Sequence, residues 1–82
     1  MLLCKVIGSV VSTRKNEKLC GSKFLVVECQ NNGQQFVAVD HIGAGIGEKV
    51  LVVMGSAARI ATSQHDPESM PVDAAVVGIV DE

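Results

Sequence analysis

A glycine-rich segment is the part of this sequence that most invites a ligand-binding interpretation. Residues Gly43 to Gly47 read GAGIG, and closely spaced glycines can expose backbone N–H groups to a phosphate. A dinucleotide-binding motif also needs a third glycine three residues after the second and then a helix, whereas Glu48 and Lys49 lead directly into an apolar segment. We therefore interpret the segment as a turn whose glycines allow positive φ or close backbone approach, within the chain or between subunits at a symmetry axis.

Other candidates for metal binding or catalysis are isolated in the sequence. His41 and His65 have no recognisable partner arrangement. Cys4, Cys20 and Cys29 show neither C-x-x-C spacing nor a histidine at ligand distance, so we interpret them as reduced cytosolic thiols. Since no nucleophile, base and orienting group can be placed together, we predict no catalytic residue, no metal site, no cofactor and no enzymatic activity.

Ser56 and Arg59 lie in the only segment predicted to be helical, Ser56 to Ala61. Ser56 follows Gly55 as in a nucleophile elbow, but the second glycine and the long helix are missing, so we interpret Ser56 as the helix N-cap. Arg59 either complements the helix dipole or bonds carbonyl or carboxylate groups of an adjoining subunit, and both interpretations stay open. Three aspartates flank strands and are interpreted as ending them: Asp40, Asp73 and Asp81.

Composition limits the function classes. The chain has 82 residues, which allows one domain over residues 1–82. It is 48% apolar yet contains no Trp, no Tyr and only two Phe. Its apolar side chains are therefore mostly small ones, mainly those of Val and Ala. A lone domain of this size buries only about 60% of its unfolded surface, so we expect other subunits to cover the excess. The net charge of −2 argues against nucleic acid, and apolar runs such as Val50 to Met54 are too short to cross a membrane.

Short Val- and Ile-rich segments separated by Gly, Asn and charged clusters predict an all-β fold. The five predicted strands and the two longer loops, Thr13 to Lys18 and Thr62 to Pro71, account for most of the chain. The strands are Leu2 to Ser12, Phe24 to Gln30, Gln35 to Asp40, Lys49 to Met54 and Val72 to Val80.

The first and last strands are apolar on both faces, and the predicted helix is too short to cover a sheet. In the last strand we expect Ala75, Val77 and Ile79 on one face, with Ala74, Val76 and Val80 on the other. A small five-stranded barrel satisfies this pattern if one strand face lies inside and the other packs against a neighbouring subunit.

Three stretches of the chain resemble the EutN/CcmL family of bacterial microcompartment shell proteins. They are GAGxGE from Gly43, GSAAR from Gly55 and VDxxVVGIVD from Val72, and the resemblance covers essentially the whole chain. It implies a small barrel related to the OB-fold, with one short α-helix, that assembles as a cyclic homopentamer. Such pentamers cap the vertices of a polyhedral shell in the bacterial cytoplasm and close its layer of hexameric shell proteins. This function is structural.

The resemblance also implies roles for six residues. The turn formed by Gly43, Ala44 and Gly45 is the candidate loop around the fivefold axis. The candidates for contacts between subunits are Ser56, Ala57 and Arg59.

The alternative function is a small OB-type binding module for an oligomeric or nucleic-acid ligand. That module would need a basic groove and stacking aromatic side chains, and the chain offers neither.

Overall fold

The computed structural model describes residues 1–12, 15–63 and 65–81, so Thr13 and Arg14 in the first predicted loop and Gln64 in the second lie outside the described residues. The described elements are five strands, one α-helix and two single turns of 3-10 helix, Glu17–Leu19 and Pro67–Ser69. The strands are β1 (Leu2–Val10), β2 (Lys23–Cys29), β3 (Gln35–Asp40), β4 (Lys49–Met54) and β5 (Ala74–Ile79), and the helix is α1 (Ser56–Thr62).

The five strands form a closed barrel in the order β1-β2-β3-β5-β4, which confirms the predicted architecture. Neighbouring strands are antiparallel except β3 and β5, which are parallel and pair at Val39 with Ala75 and at Asp40 with Val76. Closure pairs β4 with β1, so each strand has a hydrogen-bonded neighbour on both sides.

Two strands are shorter than predicted. β1 ends at Val10, which joins Phe24 in the last register pair between β1 and β2. Val11 is left 90% exposed. β5 begins at Ala74 rather than Val72, although the Val72 side chain is buried.

Side chains that point into the barrel form its main core, and most of them are small or β-branched. The fully buried members include Val6, Leu25, Val27 and Val50. A second cluster lies outside the barrel wall, where Ala58 of α1 packs with Val39, Val53, Val72 and Ala75. The expectation that the helix is too short to cover the sheet is therefore wrong for this region, because the two-turn helix covers it.

The predicted face of Ile79 is also wrong. Ile79 packs against the barrel core with Ala74 and Val76, whereas Ala75 and Val77 belong to the outer cluster. The cause is an irregularity in the pairing of β4 with β5, where Leu51 pairs with Gly78 and Val52 with Val76. The extra residue in β5 reverses the alternation of side chains beyond it.

Candidate functional site

The segment between β3 and β4, residues 41–48, is a loop whose backbone is held mainly by charged side chains. Asp40, at the end of β3, is 3% exposed. Its Oδ1 accepts hydrogen bonds from the N–H of Ile42 at 2.8 Å and of Gly43 at 3.0 Å, and its Oδ2 accepts one from Ala44 at 2.7 Å. A buried carboxylate is stable only with such partners, so these bonds account for the burial of Asp40 and fix the start of the loop.

Ala44 anchors the loop in the barrel core. Its side chain has no exposed surface and belongs to the main core. Its carbonyl oxygen accepts a hydrogen bond from Lys23 Nζ at 2.8 Å, which joins the loop to β2. The end of the loop, after Ala44, is hydrogen-bonded to β1: Gly47 N–H donates to the Val6 carbonyl at 2.8 Å, and Val6 N–H donates to the Glu48 carbonyl at 2.9 Å. The loop is thus an integral part of the barrel wall.

The glycines of this loop serve different purposes. Gly43 and Gly47 have φ of 101° and 94°, which L-residues rarely adopt. Gly45 has no such constraint, but its N–H donates to Glu48 Oε1 at 2.7 Å, and an added Cβ would lie 3.3 Å from the same oxygen. The interpretation of the segment as a turn is confirmed, and close approach at Gly45 involves a side chain of the same chain.

Two large apolar side chains are exposed on the loop. The side chains of Ile42 and Ile46 are 52% and 68% exposed, and both flank the Gly43 to Gly45 turn. Ala44 points inward, so within the predicted turn only the two glycines can contribute backbone to a contact with another molecule. Neither isoleucine was singled out from the sequence, because an isolated isoleucine beside glycines gives no periodic signal.

Helix α1 carries the other three predicted contact residues. Ser56 and Ala57 are exposed, whereas Arg59 is half-buried in the last turn. The prediction that Ser56 is the N-cap is wrong. Gly55, with φ 62° and ψ −133°, is the cap residue, and its carbonyl accepts the first helical bonds from Ala58 and Arg59. The cap lies one residue earlier than predicted because glycine readily adopts this backbone conformation, and the helix runs from Ser56 to Thr62.

The exposed face of α1 is formed by small and apolar side chains. Ser56, Ala57, Ile60 and Ala61 are exposed, with Ile60 at 56%, while Ala58 faces the outer cluster. Residues three and four apart share a helix face, so these four form one continuous strip. The helix therefore covers the barrel with one face and leaves an apolar face on the outside.

The fold brings together one pair with nucleophile and base chemistry that the sequence did not reveal. Ser22 Oγ lies 3.1 Å from His41 Nε2. Asp40, the sequence neighbour of His41, is engaged with backbone N–H groups through both oxygens, so it cannot orient the imidazole.

Among the described residues, no three His, Cys, Asp or Glu side chains converge as metal ligands. In the same part of the chain, no helix is long and apolar enough to cross a membrane.

A family model described as "Ethanolamine utilisation protein EutN/carboxysome" matches residues 1–81. The chain is 51% identical over 86 residues to the bacterial microcompartment shell vertex protein GrpN of Rhodospirillum rubrum, covering 99% of this chain and 93% of that protein. It is 48% identical to the carboxysome shell vertex protein CcmL of Synechocystis, covering 99% and 83% of the two chains.

The fold agrees with these sequence matches. A solved structure titled "GrpN pentameric microcompartment shell protein from Rhodospirillum rubrum" superposes with a TM-score of 0.85 at 49% identity, covering all of this chain and 94% of that one. Because the family match extends over residues 1–81 and the same barrel recurs in its solved members, this chain belongs to the EutN/CcmL family, whose matched members are named shell vertex proteins.

Proposed function

We propose that this chain is a structural shell protein whose homopentamers cap the vertices of a bacterial microcompartment. In this role it joins hexameric shell proteins, closes the polyhedral shell in the cytoplasm and catalyses no reaction. The observation that carries the proposal is the exposure of large apolar side chains on the outer surface of a chain whose relatives are named shell vertex proteins.

The exposed apolar groups extend over the barrel wall, the loop and the helix. On the wall, Leu3 is 41% exposed opposite Leu51, and Val37 is 46% exposed opposite Val26. Burial of apolar surface contributes roughly 25 cal/mol per Å², so contact between copies would stabilise the assembly. The exposed large apolar residues are Met1, Leu3, Ile7, Val10, Val11, Val37, Ile42, Ile46, Met54 and Ile60.

Within the pentamer, we assign the loop containing Gly43, Ala44 and Gly45 to the fivefold axis. A ring of five loops is best built from segments whose geometry exists before assembly, because flexible loops lose conformational entropy on contact. Hydrogen bonds between the loop backbone and the side chains of Asp40, Lys23 and Glu48 supply that rigidity. In this arrangement Ala44 supports the loop from inside the barrel, and Ile42 and Ile46 supply its apolar surface.

We assign the exposed strip of α1 to contacts between neighbouring subunits. Ser56 and Ala57 present small side chains, which permit close approach of another copy, and Ile60 provides apolar area. Arg59, half-buried at the edge of the strip, is assigned to the same interface. Its planar guanidinium suits carbonyl or carboxylate groups of the neighbour.

No observation favours the alternative function of a binding module for a nucleic-acid ligand. Single-stranded nucleic acid binds by stacking on exposed aromatic rings and by contact with basic grooves. The chain's only aromatic residues, Phe24 and Phe36, are half-buried and pack against the outer cluster and the barrel core, respectively.

Light scattering coupled to size-exclusion chromatography tests the oligomeric state. We expect a mass of about 43 kDa, five times the 8.6 kDa of one chain. A stable monomer at micromolar concentration would contradict the proposal.

Electron microscopy tests the vertex role. Co-expression with a hexameric shell protein is expected to give closed particles with this chain and open sheets or tubes without it. Equal closure in both samples would rule out capping even if the pentamer forms.

A further inference from the structure

The two buried cysteines of the barrel are direct neighbours. Cys4 of β1 and Cys29 of β2 are register partners in the antiparallel pair. Both side chains point into the main core, where they are 0% and 4% exposed. All three cysteines of the chain are free thiols, and Cys20 is exposed.

The backbone hydrogen bonds show which kind of register position the two cysteines occupy. Gln30 N–H donates to the Leu3 carbonyl at 3.0 Å, so Leu3 and Gln30 form a hydrogen-bonded pair. The adjacent pair, Cys4 with Cys29, is therefore a non-hydrogen-bonded pair, in which the Cα atoms are typically about 4.5 Å apart. That spacing lies within the range of roughly 4.4–6.8 Å between the Cα atoms of disulfide-bonded cysteines.

From this geometry we propose that Cys4 and Cys29 are a redox-responsive pair that a peroxide closes into a disulfide across β1 and β2. The bond would link the two strands inside the barrel and leave the outer surface unchanged. It would thereby make the stability of the subunit depend on the oxidation state around it. This role is independent of the proposed vertex function, because it concerns the interior of one chain.

The reaction proceeds in two steps. One thiolate attacks a peroxide oxygen, the O–O bond breaks, and the sulfur becomes a sulfenic acid while the departing oxygen leaves as water after protonation. The second sulfur then attacks the sulfenic sulfur, the S–O bond breaks, and the disulfide forms with release of a second water. Two thiols thus lose two protons and two electrons, and one hydrogen peroxide is reduced to two waters.

The environment of Cys4 affects the rate of this reaction. Burial in the core raises the pKa of the Cys4 thiol above its ordinary value of 9.0, and its contact with Cys29 raises the pKa further. Because the thiolate is the nucleophile, oxidation is expected to be slow at neutral pH and faster in alkaline solution.

The test uses the assembled protein with Cys20→Ser, which leaves two thiols per chain. After treatment with hydrogen peroxide at neutral and alkaline pH, the protein is unfolded in iodoacetamide and its intact mass and peptide map are measured. We expect a mass two hydrogens lower, no alkylation of either cysteine, a mapped peptide joining Cys4 to Cys29, and reversal by a thiol reductant. The melting temperature of the oxidised protein is expected to rise by several degrees.

The wild-type chain provides an internal control, because oxidation of the exposed Cys20 shows that the peroxide was active. If Cys4 and Cys29 are both still alkylated in the alkaline sample after Cys20 is fully oxidised, the proposal is wrong. A mapped disulfide between two chains would also overturn it. Cys29→Ala in the Cys20→Ser background should yield oxygen additions at Cys4 and no loss of two hydrogens.

Discussion

The Oδ2 atom of Asp40 accepts a hydrogen bond of 2.7 Å from the N–H of Ala44, four residues along the chain. This contact joins the end of β3 to a residue whose methyl group lies in the barrel core. The same carboxylate therefore stabilises the fold and positions the loop assigned to the fivefold axis. Stability and assembly should respond together when it is altered.

Replacing the Asp40 carboxylate should weaken both properties. Asp40→Ala leaves the buried N–H of Ala44 and the part-buried N–H groups of Ile42 and Gly43 without their acceptor, and we expect a loss of about 2–4 kcal/mol in the free energy of unfolding. Urea unfolding measures the loss, and light scattering reports the pentamer. Asp73→Ala, at an exposed aspartate, is the control and should change stability by less than about 0.5 kcal/mol. Equal effects of the two variants would contradict the positioning role of Asp40.

Substitutions at Gly43 and Gly45 should separate backbone strain from crowding. Gly43→Ala forces a side chain onto a φ of 101° and should cost about 1–2 kcal/mol of stability, although the space around it is open. Gly45→Ala meets only Glu48 Oε1 and should cost less, whereas Gly45→Val should displace Glu48 and disturb assembly. Thermal melts and oligomer mass measure these effects. Wild-type mass and melting temperature for Gly45→Val would remove this position from the proposed contact.

Ile60→Asp should break the assembly without unfolding the barrel. Its side chain is 56% exposed on α1, so a carboxylate there is solvated in the isolated chain but would be buried at the proposed interface. We expect loss of the pentamer in light scattering while circular dichroism keeps the β-barrel signal. Asn31→Asp, at an exposed residue of the β2–β3 hairpin, adds a carboxylate elsewhere and should preserve the oligomer. A stable Ile60→Asp pentamer would exclude this helix face from the interface.

Ser56→Ala is expected to have almost no effect on the stability of the subunit. Loss of an N-cap side chain costs about 1 kcal/mol, but Gly55 occupies the cap position and no side-chain bond caps this helix. Because alanine is also the better helix former, the free energy of unfolding should stay within about 0.5 kcal/mol of wild type. A loss of 1 kcal/mol or more in urea unfolding would restore Ser56 as the cap.

The raised pKa of Cys4 predicts a decline in stability in alkaline solution. The unfolded thiol ionises near 9.0, whereas the folded thiol keeps its proton to higher pH. Above that value the folded state binds more protons, so the free energy of unfolding falls as pH rises, by up to about 1.4 kcal/mol per pH unit. Below pH 9 this contribution is fully present. Cys4→Ala should be less stable at neutral pH but should show a shallower decline between about pH 8 and 10; parallel curves would refute the assignment.

Much of the fold could be predicted from local patterns. The Val- and Ile-rich segments predicted all five strands, and Asn31, Asn32 and Gly33 are residues typical of the hairpin turn that follows β2. The errors arose where pairing is non-local. The face of Ile79 depends on an extra residue opposite β4, and the end of β1 depends on where β2 stops pairing with it. Neither feature is visible in the alternation of residues along one strand.

The candidate site was only partly predictable. The glycine turn and the helix were located from composition, but the residues that hold the turn were not. Lys23 lies 21 residues before Ala44, and the pairing of β2 with β3, which sets Lys23 opposite Asp40, brings its ammonium group to the Ala44 carbonyl. Asp40 could have been identified, since an aspartate before a glycine turn commonly accepts N–H bonds from the following residues.

The sequence by itself determined the strand content, the short helix and the family, because these depend on local residue patterns and motifs. Only the tertiary structure decided which apolar residues are covered within one chain. Ala44 and Ala75 are buried by barrel closure and by α1, whereas Ile46 and Ile60 stay exposed. The physical reason is that burial depends on contacts between segments distant in the sequence, and those contacts exist only once the barrel has closed.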